Sequence, residues 1–228
     1  MIFLRALLMP LLVAGAAPAA ASSLDRITQA EAVQGLKTAL EQGARAAVRT
    51  LGRTDGFLKD KRVRIPLPES LQRSEKLMRQ VGAGRYADEL IVTMNRAAEA
   101  AVPQAQAVFV DAVKKMSVQD AKKILTGGNT AGTEYFRRAT RSDLRKRFLP
   151  IVKRATAKVK LAQTYQQYAG HAASFGLVKK DQADLDAYVT NEALDGLYFM
   201  VAEEEKKIRK DPVGTGKAIL KKVFGALR

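Results

Sequence analysis

The chain has 228 residues, 39 of them Lys or Arg and 23 Asp or Glu, for a formal net charge of +16. One His, no Cys and no Trp exclude disulfide-stapled scaffolds, zinc fingers and thiolate redox or metal centres, and leave no material for a His-rich metal site. Apolar residues make up 47%, enough to bury a core, so the composition is that of a folded, strongly basic protein and not a disordered one.

Residues 1–5 make a short positive start, residues 6–17 an apolar run, and Ala19-Ala20-Ala21 puts small residues where a signal peptidase cuts. This is the layout of a secretory signal, with cleavage expected after Ala21. The apolar stretch 6–21 is 16 residues long, short of the about 20 that span a bilayer. Losing residues 1–21 removes one Arg and no acid, which leaves 207 residues with a net charge of +15. Residues 22–228 are therefore expected to form a single, soluble helical domain in the periplasm.

Helical periodicity runs through most of this mature chain. Thr28 and Glu31 have the spacing of a capping box, and Val33, Leu36, Leu40, Ala44, Ala47, Val48 and Leu51 recur every three or four residues until Gly52. Residues 53–67 form the one long irregular loop. Asp55-Gly56 reads as a turn, and Ile65-Pro66-Leu67-Pro68 as an extended arm, because each proline drives its predecessor out of the helical region. A short helix is predicted from Pro68 or Glu69 to Val81, broken by Gly82 and Gly84, then helices over 85–101 and about 103–116. Ser117 with Asp120 caps the next, which stops at Gly127-Gly128. Asn129 or Thr130 opens another, and Thr140 with Asp143 is expected to cap a separate long helix reaching about Val159. Residues 161–169 are helical in pattern, Thr190 is expected to begin a helix ending at Asp211-Pro212, and a last helix covers 216–226. No window alternates with period two, so the fold class is all-α, a single-domain multi-helix bundle.

The stretch from Arg137 to Lys160 stands out, with ten basic residues against the single acid Asp143. On a helix, Leu144, Phe148, Ile151, Val152, Ala155 and Val159 fall in one apolar stripe, which leaves Arg137, Arg141, Arg145, Lys146, Arg147, Lys153, Arg154 and Pro150 outside it. Those seven cations form a candidate surface for an anionic partner, or a face that simply keeps the protein solvated. Gly127-Gly128-Asn129-Thr130, followed by Thr133 and Arg137, offers free helix-start amides to an anion, although an ordinary cap has the same pattern. In the last helix Lys217, Lys221 and Lys222 flank Ile219, Leu220, Val223, Phe224 and Leu227, the pattern of a membrane-surface helix or of one docked on its own core.

Two carboxylate groupings invite attention. Asn95, Arg96 and Glu99 lie on one helix and form a candidate polar network. Residues 193–202 are apolar on every side except at Asp195, so Asp195 is expected to be buried, with Arg96 a candidate partner, and Gly196 to admit a close neighbour. Asp195 then reads either as a structural ion pair or as an acid in a pocket. Glu203 with Lys207 and Glu205 with Arg209 have i,i+4 spacing and read as pairs on an exposed helix end, not as a metal site. His171 sits in a polar stretch without the Ser or Asp arrangement of a triad. No catalytic residue, metal ligand or cofactor site is assigned.

The segments Val63-Arg64-Ile65-Pro66-Leu67-Pro68, Met94-Asn95-Arg96-Ala97-Ala98-Glu99, Tyr135-Phe136, Phe148-Leu149-Pro150-Ile151-Val152, Ala193-Leu194-Asp195-Gly196-Leu197, 203–209 and Leu220-Lys221-Lys222-Val223-Phe224 stand in one order. In this the chain resembles the bacterial envelope family known as domain of unknown function 4197, over about residues 24–225. The resemblance implies an exported helical domain without an established activity or ligand, so it transfers no site residues. The resulting expectation is a non-enzymatic periplasmic protein that meets an anionic lipid or envelope polymer at the membrane periphery. Nucleic acid suits the charge but not the compartment. The alternatives are an enzyme using Asp195, Glu99 or Glu203 as acid or base, and a structural subunit docking a protein partner through the 53–68 arm.

Overall fold

A computed structural model describes residues 29–166 and 184–211. Every regular element among them is helical, and the fold is an all-α multi-helix assembly. The helices are α1 (Gln29–Leu51), α2 (Glu69–Gln80), α3 (Gly84–Ala101), α4 (Ala105–Lys115), α5 (Val118–Leu125), α6 (Ala131–Thr156) and α7 (Leu185–Lys210). Residues 160–166 are also helical. The expected signal sequence, His171 and the helix expected over 216–226 lie outside the described residues.

The apolar stripe of α1 packs against α4, α5 and α7, and α6 packs against α3, α4, α5 and α7. Phe109 of α4, Phe136 of α6 and Tyr198 of α7 meet at the centre of the core. The Phe109 ring lies 4.7 Å from that of Phe136 and 6.1 Å from that of Tyr198. Tilted and edge-on aromatic pairs at such distances add about 0.5–1.5 kcal/mol each beyond their buried area. The Ser117 and Asp120 box forms as expected: the Asp120 amide donates to Ser117 Oγ at 3.1 Å and the Ser117 amide to Asp120 Oδ2 at 3.2 Å.

Two helix starts differ from their expected places. Thr140 does not cap a new helix, because α6 runs unbroken from Ala131 to Thr156. The Thr140 hydroxyl instead bonds the Phe136 carbonyl and shares a bond with the Tyr198 hydroxyl, both inside the core. Likewise α7 begins at Leu185 and not at Thr190, since Asp184 accepts the Ala187 amide at 3.0 Å and thereby caps it. Pro150 is tolerated within α6 because it faces solvent, where its missing N–H is easily compensated. The stripe beneath it is buried, with Leu144, Phe148 and Val152 fully enclosed.

Residues 53–67 wrap the body of the protein. Phe57, Val63, Ile65 and Leu67 are all buried, while Lys59, Lys61, Arg62 and Arg64 stay outside. The arm lies so close to α7 that a Cβ on Gly196 would sit 2.8 Å from the Phe57 ring and 3.3 Å from Val63. The expected close neighbour of Gly196 is therefore this arm.

Candidate functional site

The polar residues of α3 hold the arm in place. Asn95, fully buried, accepts the Ile65 amide at 2.9 Å and donates to the carbonyls of Ile65 at 2.9 Å and Ile91 at 2.8 Å. Glu99, only 4% exposed, accepts the Phe57 and Leu58 amides at 3.0 and 3.1 Å and Arg96 Nη1 at 2.6 Å. Arg96 reaches on to Asp55 at 2.6 Å, and Lys59 closes the chain on the other oxygen of Asp55 at 2.7 Å. Asp55 has φ of +67°, a conformation Asp tolerates better than most residues. The hydrogen bonds from Lys59 and Arg96 hold its carboxyl below the usual range. The arm's turns make some backbone hydrogen bonds of their own, and side chains of α3 supply those of the Phe57, Leu58 and Ile65 amides and the Ile65 carbonyl.

Asp195 does not belong to this network. Its side chain is 48% exposed, and it is bound by Arg137 Nη1 at 2.7 Å and Arg141 Nη1 at 2.6 Å, not by Arg96. The apolar count around 193–202 misplaced it. Asp195 and the exposed Phe199 are four residues apart and share the one side of α7 that faces solvent. Partial burial pushes the Asp195 carboxyl up, but the bonds from Arg141 and Arg137 outweigh this, and its pKa is lowered. The Arg137 guanidinium also lies 4.8 Å from the Tyr198 ring.

The start of α6 already has its anion. Glu205 of α7, 6% exposed, accepts the Gly132 amide at 3.0 Å, the Thr133 amide at 2.8 Å and the Thr133 hydroxyl at 2.8 Å. Arg209 donates to the same carboxylate at 3.1 and 2.9 Å and to the Ile124 carbonyl, the end of α5, at 3.0 Å. One buried pair thus joins three helix ends. It satisfies the orphan amides of α6 and matches its positive pole, so those amides are not open to a ligand. Gly132 is required because a Cβ there would press into Leu40 and within 3.1 Å of Glu205. The void beside the pair, lined by Leu36, Leu40, Val201 and Ile208, holds about 10 Å³, at the threshold for one water. The expected exposed pairing is thus corrected. Glu205–Arg209 is buried, and Glu203 and Glu204 bind Lys206 and Lys207 at i,i+3 instead.

The seven cations predicted on α6 divide into two groups. Arg137 and Arg141 are held by Asp195, and Arg147 by Asp143 at 3.1 Å. Arg145, Lys146, Lys153 and Arg154 are exposed and have no ion pair or hydrogen bond from their side chains to any described residue. Two open grooves carry further cations. One, of about 480 Å³, runs between the end of α1 and Pro103, with Arg45, Arg49 and Arg53 along it. The other, of about 650 Å³, separates the arm from α2, with Lys61, Arg64, Lys76 and Arg79 around it and Glu75 among them.

Among the described residues no group of three or more His, Asp or Glu side chains is placed to hold a metal ion. Glu99, Asp195 and Glu203 line none of these three clefts. Sequence reading overlooked the Glu205 cap and the Arg45–Arg49–Arg53 series. The latter had a readable signal, three arginines spaced by four at a helix end.

No curated protein and no solved structure matches the chain. A family model described as "Protein of unknown function (DUF4197)" matches residues 26–225, which includes the α3 clasp, the Glu205 cap and the whole of α6. The chain belongs to the DUF4197 family.

Proposed function

We propose that the protein is exported to the periplasm by its N-terminal segment and binds clustered phosphate groups of an anionic envelope surface, through the outward face of α6. The observation that carries this reading is the set Arg145, Lys146, Lys153 and Arg154. They are exposed along one helix, without an acid to engage them, in a protein whose other helices pair many of their cations. From Arg145 to Arg154 the helix rises by about 14 Å, enough to meet several headgroups at once. Each Lys or Arg near an anionic bilayer contributes about 1 kcal/mol, so four give about 4 kcal/mol, close to a thousandfold in affinity. Between the two cation pairs the exposed Pro150 carries no charge, and the exposed Arg147 is engaged by Asp143.

Acid–base chemistry is less well supported, because Glu99 and Asp195 are engaged by arginines and amides, and Glu203 by Lys206. The docking of a protein through the arm is also less well supported, since its apolar side chains are turned into the protein's own core. The test is flotation of mature protein with phosphatidylglycerol or phosphatidylcholine vesicles at low and high salt. Binding to the anionic vesicles alone, lost at high salt and in the R145Q/K146Q/K153Q/R154Q variant, is expected. Equal flotation of that variant would remove α6 from the account.

A further inference from the structure

The groove along the end of α1 is separate from the face of α6 and has the features of a binding site for one phosphate ester. Arg45 and Arg49 are one turn apart on α1, about 6 Å along its axis, and Arg53, two residues past the helix end, lines the same groove. Arg45 is bound by Glu41 at 2.6 Å. Arg49 and Arg53 are exposed, and their side chains have no ion pair or hydrogen bond to any described residue. The negative pole of α1 accounts for a basic residue in its last turn. It does not account for three arginines lining one groove whose lining contains no acid.

Like charges lining one groove repel, and an anion placed between them relieves that repulsion while accepting paired N–H bonds from each guanidinium fork. Gln106, exposed on the facing wall, adds a neutral amide donor, and Val48 and Pro103 supply an apolar floor. The groove measures about 480 Å³, within the size range of sites for small organic molecules and larger than bare phosphate requires. The larger groove under the arm is a weaker candidate, because Glu75 lines it and Arg79 is already held by Glu75 and Asp88.

We infer that this groove binds a single phosphate monoester or diester through Arg49 and Arg53, with its organic part over Val48 and Pro103. The ester is either a soluble compound or the headgroup of a lipid. Glycerol 3-phosphate is the probe, titrated into mature protein and followed by NMR of the arginine Nε–H and Gln106 side-chain signals. Saturable shifts are expected, with affinity about tenfold weaker or worse in R49Q/R53Q and unchanged in R145Q/K146Q/K153Q/R154Q. Vesicle flotation of R49Q/R53Q separates the two sources: a loss indicates a lipid headgroup, and no change a soluble ester. Absence of saturable shifts at millimolar probe overturns the inference, as does equal binding by R49Q/R53Q whose melting curve matches wild type. Loss of the shifts in the α6 variant would overturn the separateness of the two sites, whatever becomes of the proposed role of α6.

Discussion

Replacing Glu205 with alanine removes the carboxylate that holds the start of α6 and that anchors Arg209, whose guanidinium reaches the end of α5. Five hydrogen bonds end on it, from the Gly132 and Thr133 amides, the Thr133 hydroxyl and two nitrogens of Arg209. The hydroxyl can rotate to another acceptor, and Arg209 keeps the Ile124 carbonyl, but the two amides are left without a partner in a buried place. Unsatisfied buried donors cost about 1–3 kcal/mol each, and breaking a buried ion pair from one side about 3–5 kcal/mol in all. These overlapping costs put the loss at about 4 kcal/mol, or a fall in Tm of about 8–16 °C for a chain of this size. Urea unfolding followed by circular dichroism measures it, with Glu205→Gln expected to lose about half as much because one acceptor oxygen remains. A double-mutant cycle with Arg209→Ala should show coupling above about 1 kcal/mol. A Glu205→Ala protein within about 0.5 kcal/mol of wild type would refute the claim that this pair ties the helix ends together.

Other perturbations follow from the same geometry. Asn95→Ala should destabilise by about 2–3 kcal/mol by orphaning both polar groups of Ile65, and by releasing the arm's backbone should speed tryptic cleavage after Lys59, Lys61, Arg62 and Arg64; an unchanged cleavage rate would contradict the clasp. Gly196→Ala should cost about 1–3 kcal/mol through overpacking against the Phe57 ring, measured by thermal denaturation; Gly43→Ala, whose added methyl would meet ordinary contacts at 3.5 Å or more, should not. Glu192 is half-buried, and burial first, then the charge of Asp195, raises its carboxyl above the ordinary value of 4.5. A raised carboxyl destabilises the fold above its folded pKa and not below the unfolded one. Glu192→Gln should therefore stabilise the protein at neutral pH, and the gain should vanish in urea titrations below about pH 4.5; a gain that persists there would show that charge is not its origin.

Periodicity made the helices readable one by one. The spacing of Leu36, Leu40, Ala44 and Val48, and that of Leu144, Phe148 and Val152, is a property of a single helix and needs no neighbour to be seen. The Ser117–Asp120 cap was equally local and was read, whereas the equally local Asp184 cap of α7 was missed. Thr140 misled because a threonine three before an aspartate has the same spacing whether it opens a helix or lies inside one, and its real partner, Tyr198, is 58 residues away.

The site residues divide in the same way. Composition and spacing alone established that α6 presents cations outward, and that Asn95, Arg96 and Glu99 share a helix. Which cations remain unengaged was decided by tertiary structure, because Asp195 engages both Arg137 and Arg141 across 58 and 54 residues. Only the assembled fold could likewise place the Glu205 carboxylate on amides 73 and 72 residues earlier, or turn the α3 network toward arm groups that find no backbone partner, such as the Ile65 amide and carbonyl. Helix formation is governed by neighbours within one turn, whereas the pairing of buried charges is governed by which helix faces the packed core brings together.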